Sequence, residues 1–280
     1  MRGLPARLAG NLLDVLLPNR CLFCGAALSG RVCACTGCLE GITLFTGHLC
    51  ARCGAPLDAT PGDRPRETPT GTFSCTREQP AGETCPQCRD VSWSFTRNVS
   101  LCSYEGAMRL LIHQLKFGGR RGVSRLLGAL AVDRHAAYIG DHHLLVPVPL
   151  AGPRRLERGY NQAMLLAKQI ASCMGACGTG SAGDPGFPRP PVLCDALLRR
   201  GACSPQSSLG SFSDRVSNMR DRFILRVETR KILRGKRVLL VDDVLTSGAT
   251  ASACARTLLE GGAGRVDLLT AARTLRFSAA

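Results

Sequence analysis

A chain of 280 residues with 45% hydrophobic side chains and a mean hydropathy near zero is large enough for a real core, as one large domain or two modest ones. No run of 18 apolar residues occurs, which argues against a transmembrane helix. The apolar N-terminus carries Arg7, Asn11 and Asp14 and has no Ala-x-Ala site, which argues against a signal peptide. The formal charge of +15 favours anionic partners such as phosphates or nucleic acid, although 32 Arg against 4 Lys also fits a coding bias.

Leu4 to Leu17 has apolar residues at roughly helical spacing. It predicts an amphipathic docking helix within residues 1–20 that buries Leu8, Leu12, Leu13 and Leu16. The next segment, residues 21–95, is rich in cysteine. Eight of the 16 cysteines form Cys-x-x-Cys pairs: Cys21/Cys24, Cys35/Cys38, Cys50/Cys53 and Cys85/Cys88. Without a secretion signal this spacing reads as metal rather than disulfide, and it places the chain in the cytoplasm. A tight turn between two such cysteines aims both thiolates at one ion, and two turns complete a four-cysteine zinc site.

Pairing in chain order predicts one structural zinc on Cys21, Cys24, Cys35 and Cys38 and a second on Cys50, Cys53, Cys85 and Cys88. All ligand positions are sulfur, so no position is left open for water. Cys33 and Cys75 are rival ligands. A redox dithiol is the competing reading, but no thioredoxin-like βαβ pattern surrounds the pairs. Ala55 to Thr84 is rich in Pro, Gly and Thr and reads as an insertion. Trp93, the single tryptophan, is expected to pack between the two modules.

Residues 96–280 read as alternating helix and strand. Ala107, Leu110, Leu111 and Leu115 share a helical face, and Ser124 to Tyr138 and Gln162 to Met174 read as further helices. Short strands are expected at His143 to Val148, Val192 to Leu198 and Phe223 to Val227. Gly178 to Pro191 reads as a loop. Arg215 to Arg237 holds nine basic residues and two acidic ones, a plausible basic face.

The most informative stretch follows. Arg237 to Val241 is an apolar run buried on both faces, as in a parallel sheet. Asp242 and Asp243 then stand at its carboxyl end. Thr246, Ser247, Gly248, Ala249 and Thr250 make a small-residue turn into a helix, Ala249 to Glu260, with Ala251, Cys254, Leu258 and Leu259 inward. Such a turn can wrap a phosphate with backbone N–H groups and hydroxyls at a helix N-terminus. Gly248 permits positive φ and close approach. Gly261-Gly262 ends the helix and Val266 to Thr270 forms a last strand. Together these elements imply a doubly wound α/β sheet. No Walker A loop or Gly-x-Gly-x-x-Gly fingerprint is present, which counts against ATPase and dinucleotide chemistry.

The Val-Asp-Asp and Thr-Ser-Gly-x-Thr elements resemble the phosphoribosyl-pyrophosphate (PRPP) signature of type I phosphoribosyltransferases. That resemblance implies acids on the ribose hydroxyls and a loop around the 5-phosphate. More broadly, Gln114-Leu-Lys116-Phe117, Val146-Pro-Val-Pro149, Arg158-Gly-Tyr160-Asn161-Gln162 and Val241-Asp-Asp243, behind a cysteine-rich head, resemble the ComF family of competence-associated proteins and its GntX relatives. Departures are Cys203-Ser-Pro-Gln206, where the family has Thr-x-x-Gln, and Ser247 within its Thr-Thr-Gly.

The resemblance implies a double zinc-ribbon module ahead of a type I phosphoribosyltransferase-like domain that binds PRPP with Mg2+. It further implies a role in DNA uptake and natural transformation, with single-stranded DNA and competence-machinery proteins as partners. The pyrophosphate would face Arg154, Arg155 or Arg158, with Lys116 as a further cation. Asp242, Asp243, Lys116 and Arg158 would carry catalysis if it occurs. An active phosphoribosyltransferase with an unread acceptor, and a PRPP-sensing single-stranded DNA-binding protein, are the two alternatives. The role of Arg199, Gln206, Arg215 and Asn218 stays open, as does packing against function for Tyr160 and Phe117. His113, His142 and His143 show no partner pattern.

Overall fold

The computed structural model describes residues 19–28, 34–57, 83–89, 91–150, 152–177, 190–200 and 222–275. The helix expected over Leu4 to Leu17, the rival ligands Cys33 and Cys75, most of both expected loops, and Gln206, Arg215 and Asn218 lie outside them. Asn19–Arg20, placed at the end of the expected N-terminal segment, instead form β1. It pairs antiparallel with β2, Ala27–Leu28, across the first cysteine knuckle.

The head contains two further short helices, α1 (Thr36–Glu40) and α2 (Pro86–Arg89). Behind it stand β3 (Asn98–Ser103), α3 (Gly106–Phe117), α4 (Val123–Gly140), β4 (Leu144–Pro147), α5 (Gly152–Arg158) and α6 (Gln162–Cys177). Then come β5 (Val192–Leu193), β6 (Leu197–Arg199), β7 (Phe223–Leu225), α7 (Arg230–Leu233), β8 (Arg237–Leu245), α8 (Ala249–Glu260) and β9 (Arg265–Arg273).

The main sheet runs β3-β9-β8-β4-β5 and every pairing is parallel. Side chains alternate across its central strands. Val238 and Leu240 of β8, with Val266 and Leu268 of β9, join Ala251, Cys254 and Leu258 of α8. Leu239 and Val241, with Leu269 and Ala271, join Leu111, Leu115, Leu127 and Ile170 of α3, α4 and α6. Helices therefore cover both faces, and the period-2 alternation explains why the strand reads as an unbroken apolar run. Val238 to Val241 are fully buried, each worth about 2 kcal/mol of apolar transfer. The fold class expected from the sequence is the one observed.

Four details depart from expectation. The stretch expected as one strand, Val192 to Leu198, is two: β5 belongs to the main sheet, while β6 pairs antiparallel with β7. The strand β3 went unread, because its polar Asn98 and Ser100 mask it. Leu259 is 36% exposed rather than inward. The signature strand does not stop at Val241. Its pairing with β9 continues through Asp242 opposite Thr270 to Leu245 opposite Arg273.

β3 is an edge strand, yet it is buried along most of its length. The head covers it: Phe45 N–H donates to the Leu101 carbonyl at 2.7 Å, and Leu44 bridges to Cys102. At the amino end of β9, His142 lies 2.8 Å from the buried Asp267, which Arg265 also contacts at 2.8 Å. This joins α4 to the sheet.

Candidate functional site

Chain order places the crevice. From β4 the chain moves outward to β5, then returns to β8 on the other side of β4 and moves outward again to β9. The strand order reverses between β4 and β8, and ligands bind at the carboxyl ends of strands at such a point. The segment after β4 supplies α5 with Arg154, Arg155 and Arg158. The segment after β8 supplies residues 246–250.

Four sequence motifs meet there. Lys116, at the end of α3, contacts Asp243 at 2.8 Å, and Gln162 donates to the other Asp243 oxygen at 3.3 Å. Tyr160 donates its hydroxyl to the Leu115 carbonyl at 2.5 Å. Asn161 accepts from Ala163 N–H at 3.0 Å, as a cap for α6, and donates to the Val148 carbonyl after β4. Each polar residue of the Arg-Gly-Tyr-Asn-Gln element thus ties α6 to a neighbour, except the arginine. The Arg158 guanidinium lies over the Phe117 ring at 4.6 Å, and Phe117 is 56% exposed. Arg154 and Arg155 are exposed.

Because β8 runs on to Leu245, its two acids point to opposite faces. Asp243 turns to Lys116 and Gln162, so Lys116 is held by a protein carboxylate. Asp242 turns to the α8 side, where it lines a crevice with Thr246, Gly248, Thr250 and Thr270. Burial, and then the adjacent Asp243 charge, push the Asp242 carboxyl up to about 7. Arg199 on β6, which the sequence left without a role, lies close enough to feel Asp242 and Arg154, while burial lowers its own pKa. It had no local signal, since it reaches the site only through the β6–β7 pairing.

The loop itself is bare of side-chain caps. Gly248 is the N-cap of α8 with φ 77°, and no side chain bonds there. Ala249 N–H makes only a long 3.4 Å contact to the hydroxyl two residues before it, Ser247 Oγ. A helix start without a side-chain cap, flanked by the hydroxyl-bearing Thr246, Ser247 and Thr250, suits an anion. The close approach expected of Gly248 is real, but the group that approaches is Trp93: a Cβ would lie 2.5 Å from the indole nitrogen.

In the head, the eight predicted cysteines form two groups whose sulfurs lie within 4.8 Å of one another. Sγ···Sγ separations are 3.7 Å for Cys24–Cys35, 3.8 Å for Cys50–Cys88, 3.6 Å for Cys53–Cys85 and 3.5 Å for Cys85–Cys88. A tetrahedral ion with Zn–S bonds of about 2.3 Å requires sulfurs about 3.8 Å apart, so both groups fit zinc. Hydrogen bonds lower Cys21, chiefly from the Cys24 backbone, to about 6. The Cys35 side chain pushes Cys38 up to about 12. Contacts with Cys53 and Cys88 hold Cys50 far below the usual thiol range, and Cys53 rises to about 12.

The Double zinc ribbon domain family matches residues 12–89. The DNA utilization protein YhgH of Salmonella typhi is 30% identical over 68% of the chain and 78% of that protein. The chain belongs to the ComF family. Among its ComF relatives, Competence protein ComFC of Bacillus subtilis is 26% identical over 81% of the chain and 78% of that protein. The glutamine PRPP amidotransferase of B. subtilis, complexed with ADP and GMP, overlaps 56% of this ComF chain and only 30% of its own, at 15% identity and a TM-score of 0.33. At that score nothing rests on the overlap, and the topology stands on the strand order above. Both zinc clusters are structural, and no helix among the described residues is long and apolar enough to cross a membrane.

Proposed function

We propose that the carboxyl ends of β4 and β8, with the crevice that Asp242 lines beside the start of α8, bind PRPP, and that the protein acts in DNA uptake during natural transformation. The observation that carries this reading is the uncapped start of α8 with Asp242 beside it, at the carboxyl end of β8, the strand that borders the strand-order reversal. Residues 246–250 would hold the 5-phosphate through N–H groups and hydroxyls. Asp242 would accept from ribose hydroxyls. Arg154 and Arg155, exposed on the helix that follows β4 and in no salt bridge among the described residues, would supply bidentate contacts to a pyrophosphate. Asp243 acts indirectly, by fixing Lys116 and Gln162.

Magnesium fits as a companion of the ligand. Only Asp242 offers a carboxylate among the described crevice residues, and Mg2+ takes one or two carboxylates plus phosphate oxygens. Bound there, it would offset pyrophosphate charge. The names of the relatives, a DNA utilization protein and a competence protein, support the cellular role. One feature favours single-stranded DNA as a second ligand. Phe117 is exposed, covered by Arg158 and edged by His113, with Arg120 and Arg121 next in the chain. A stacking ring in a basic setting is what single strands use.

Calorimetry with PRPP and Mg2+ tests the reading. Saturable binding is expected, reduced at least about tenfold in Asp242→Asn, the loss of a charged hydrogen-bond partner. Salt-dependent binding of single-stranded DNA should survive that change but weaken in Phe117→Ala. Absence of PRPP binding by the zinc-loaded protein would overturn the first assignment. Pyrophosphate release on adding nucleobases would extend it to transfer.

A further inference from the structure

We propose that Trp93 is a positioning residue through which the second four-cysteine cluster sets the geometry of the 246–250 loop, so that zinc in that cluster raises affinity for a phosphorylated ligand. The inference rests on the crevice reading above. It starts from where the indole sits. Trp93 packs against the cluster of Cys50, Cys53, Cys85 and Cys88 on one side and against the α8 core on the other. Its Nε1–H donates to the Ser247 carbonyl at 3.1 Å.

That bond fixes a peptide plane. In a trans peptide the carbonyl of Ser247 and the N–H of Gly248 point in opposite directions. Holding the carbonyl toward the indole therefore aims the Gly248 N–H away from it, as a cradle of amide donors requires. Gly248, at φ 77°, has the backbone freedom to let this plane turn if the indole were absent. A turned plane would present a carbonyl to the anion.

The knuckle holds the indole in turn. Arg52, between Cys50 and Cys53, lies 5.8 Å from the ring centroid and donates to the Trp93 carbonyl at 3.4 Å. Phe95 stacks on the ring at 4.9 Å. The next residue, Ser94, donates its N–H to Ser252 Oγ in the first turn of α8 at 2.9 Å. The first cluster is linked differently: among the described residues its side-chain hydrogen bonds run within its own knuckles, and Leu22, Phe23 and Leu39 pack against the core on the sheet face opposite α8. Metal loss from the second cluster would free Arg52 and Trp93 together, and the loop would lose its external donor.

The chain has one tryptophan, so its emission reports this contact directly. In the zinc-loaded full chain, PRPP with Mg2+ should change Trp93 emission with the same midpoint that calorimetry gives. Trp93→Phe keeps the ring and both clusters but removes the donor. It should weaken PRPP binding about fivefold to tenfold, the scale of one hydrogen bond, while the melting temperature stays near the parent's. Cys85→Ser/Cys88→Ser should weaken it further, whereas Cys35→Ser/Cys38→Ser should not.

If the serine variants fail to fold, Trp93→Phe decides alone. Equal affinity in Trp93→Phe and the parent would overturn the inference while leaving the crevice reading intact. If the parent binds neither PRPP nor inorganic pyrophosphate, the crevice reading falls and the inference falls with it.

Discussion

The two four-cysteine clusters share a spacing but not a setting. In the first, Cys24 is exposed and Cys35 and Cys38 are half-buried. In the second all four sulfurs are buried, and the backbone between them bonds outward. The Cys53 carbonyl accepts from Asn98 at 3.0 Å and from the buried Arg273 at 2.9 Å, and Asn98 N–H donates to the Arg52 carbonyl. Asn98 and Arg273 are the first residue of β3 and the last of β9. The first cluster therefore meets the core through the apolar side chains Leu22, Phe23 and Leu39, whereas the second is joined to the sheet by buried hydrogen bonds. Identical motifs carry different consequences because the surroundings decide how far a local loss spreads.

The strongest way to break this contrast is to remove a ligand from each cluster. Structural zinc in small modules contributes on the order of 10 kcal/mol, so Cys53→Ser should unfold the head and lower the melting temperature of the sheet as well. Cys24→Ser should lower the sheet transition less, because it loosens apolar packing rather than buried hydrogen bonds. Calorimetric scans of both variants check this, and two equal scans would end the distinction. A chelator with a colour readout should likewise draw the first zinc faster than the second.

Next in size is Arg273→Met, which deletes a buried charged donor and leaves the Cys53 carbonyl with Asn98 alone. A cost of about 2 kcal/mol is expected in urea unfolding, with release of the second zinc accelerated and that of the first unchanged.

A matched pair of glycines gives a finer test. Gly25 and Gly54 follow Cys24 and Cys53, with φ of 72° and 67°. A Cβ on Gly25 meets nothing within 4 Å, whereas on Gly54 it lies 2.8 Å from the Asn98 carbonyl. Gly25→Ala should cost about 1 kcal/mol from backbone conformation. Gly54→Ala should exceed it by a comparable amount, because β3 must shift.

The smallest effect sits beyond Trp93, at Asp242. Its folded pKa is raised, so its share of stability is present below about pH 4 and lost as pH rises through about 7. Without ligand, Asp242→Asn should melt slightly above the parent at pH 8 and should not at pH 4. The parent's advantage should return with PRPP.

Much of this was legible, for physical reasons. Cys-x-x-Cys spacing encodes a local turn, so all eight ligands were readable and even their pairing followed chain order. Helix α8 was read to its ends because Gly248 and Gly261 punctuate it. The opposite facing of Asp242 and Asp243 was not readable, since it depends on β9 extending β8 past the apolar run. The Lys116–Asp243 pair and the placement of Arg199 arise only from packing between distant elements. The split of Val192 to Leu198 into two strands was equally hidden, because apolar runs do not say which sheet they join.

The cover that Leu44 and Phe45 lay along β3 bears on how this protein can be handled. A truncation beginning near residue 96 would strip that cover and leave a twisted five-stranded sheet with an open, hydrophobic rim of unpaired amides. Such a rim recruits further copies, and self-association into insoluble material follows. The carboxyl-terminal two thirds are thus expected to need their cysteine-rich neighbour in place to stay dispersed.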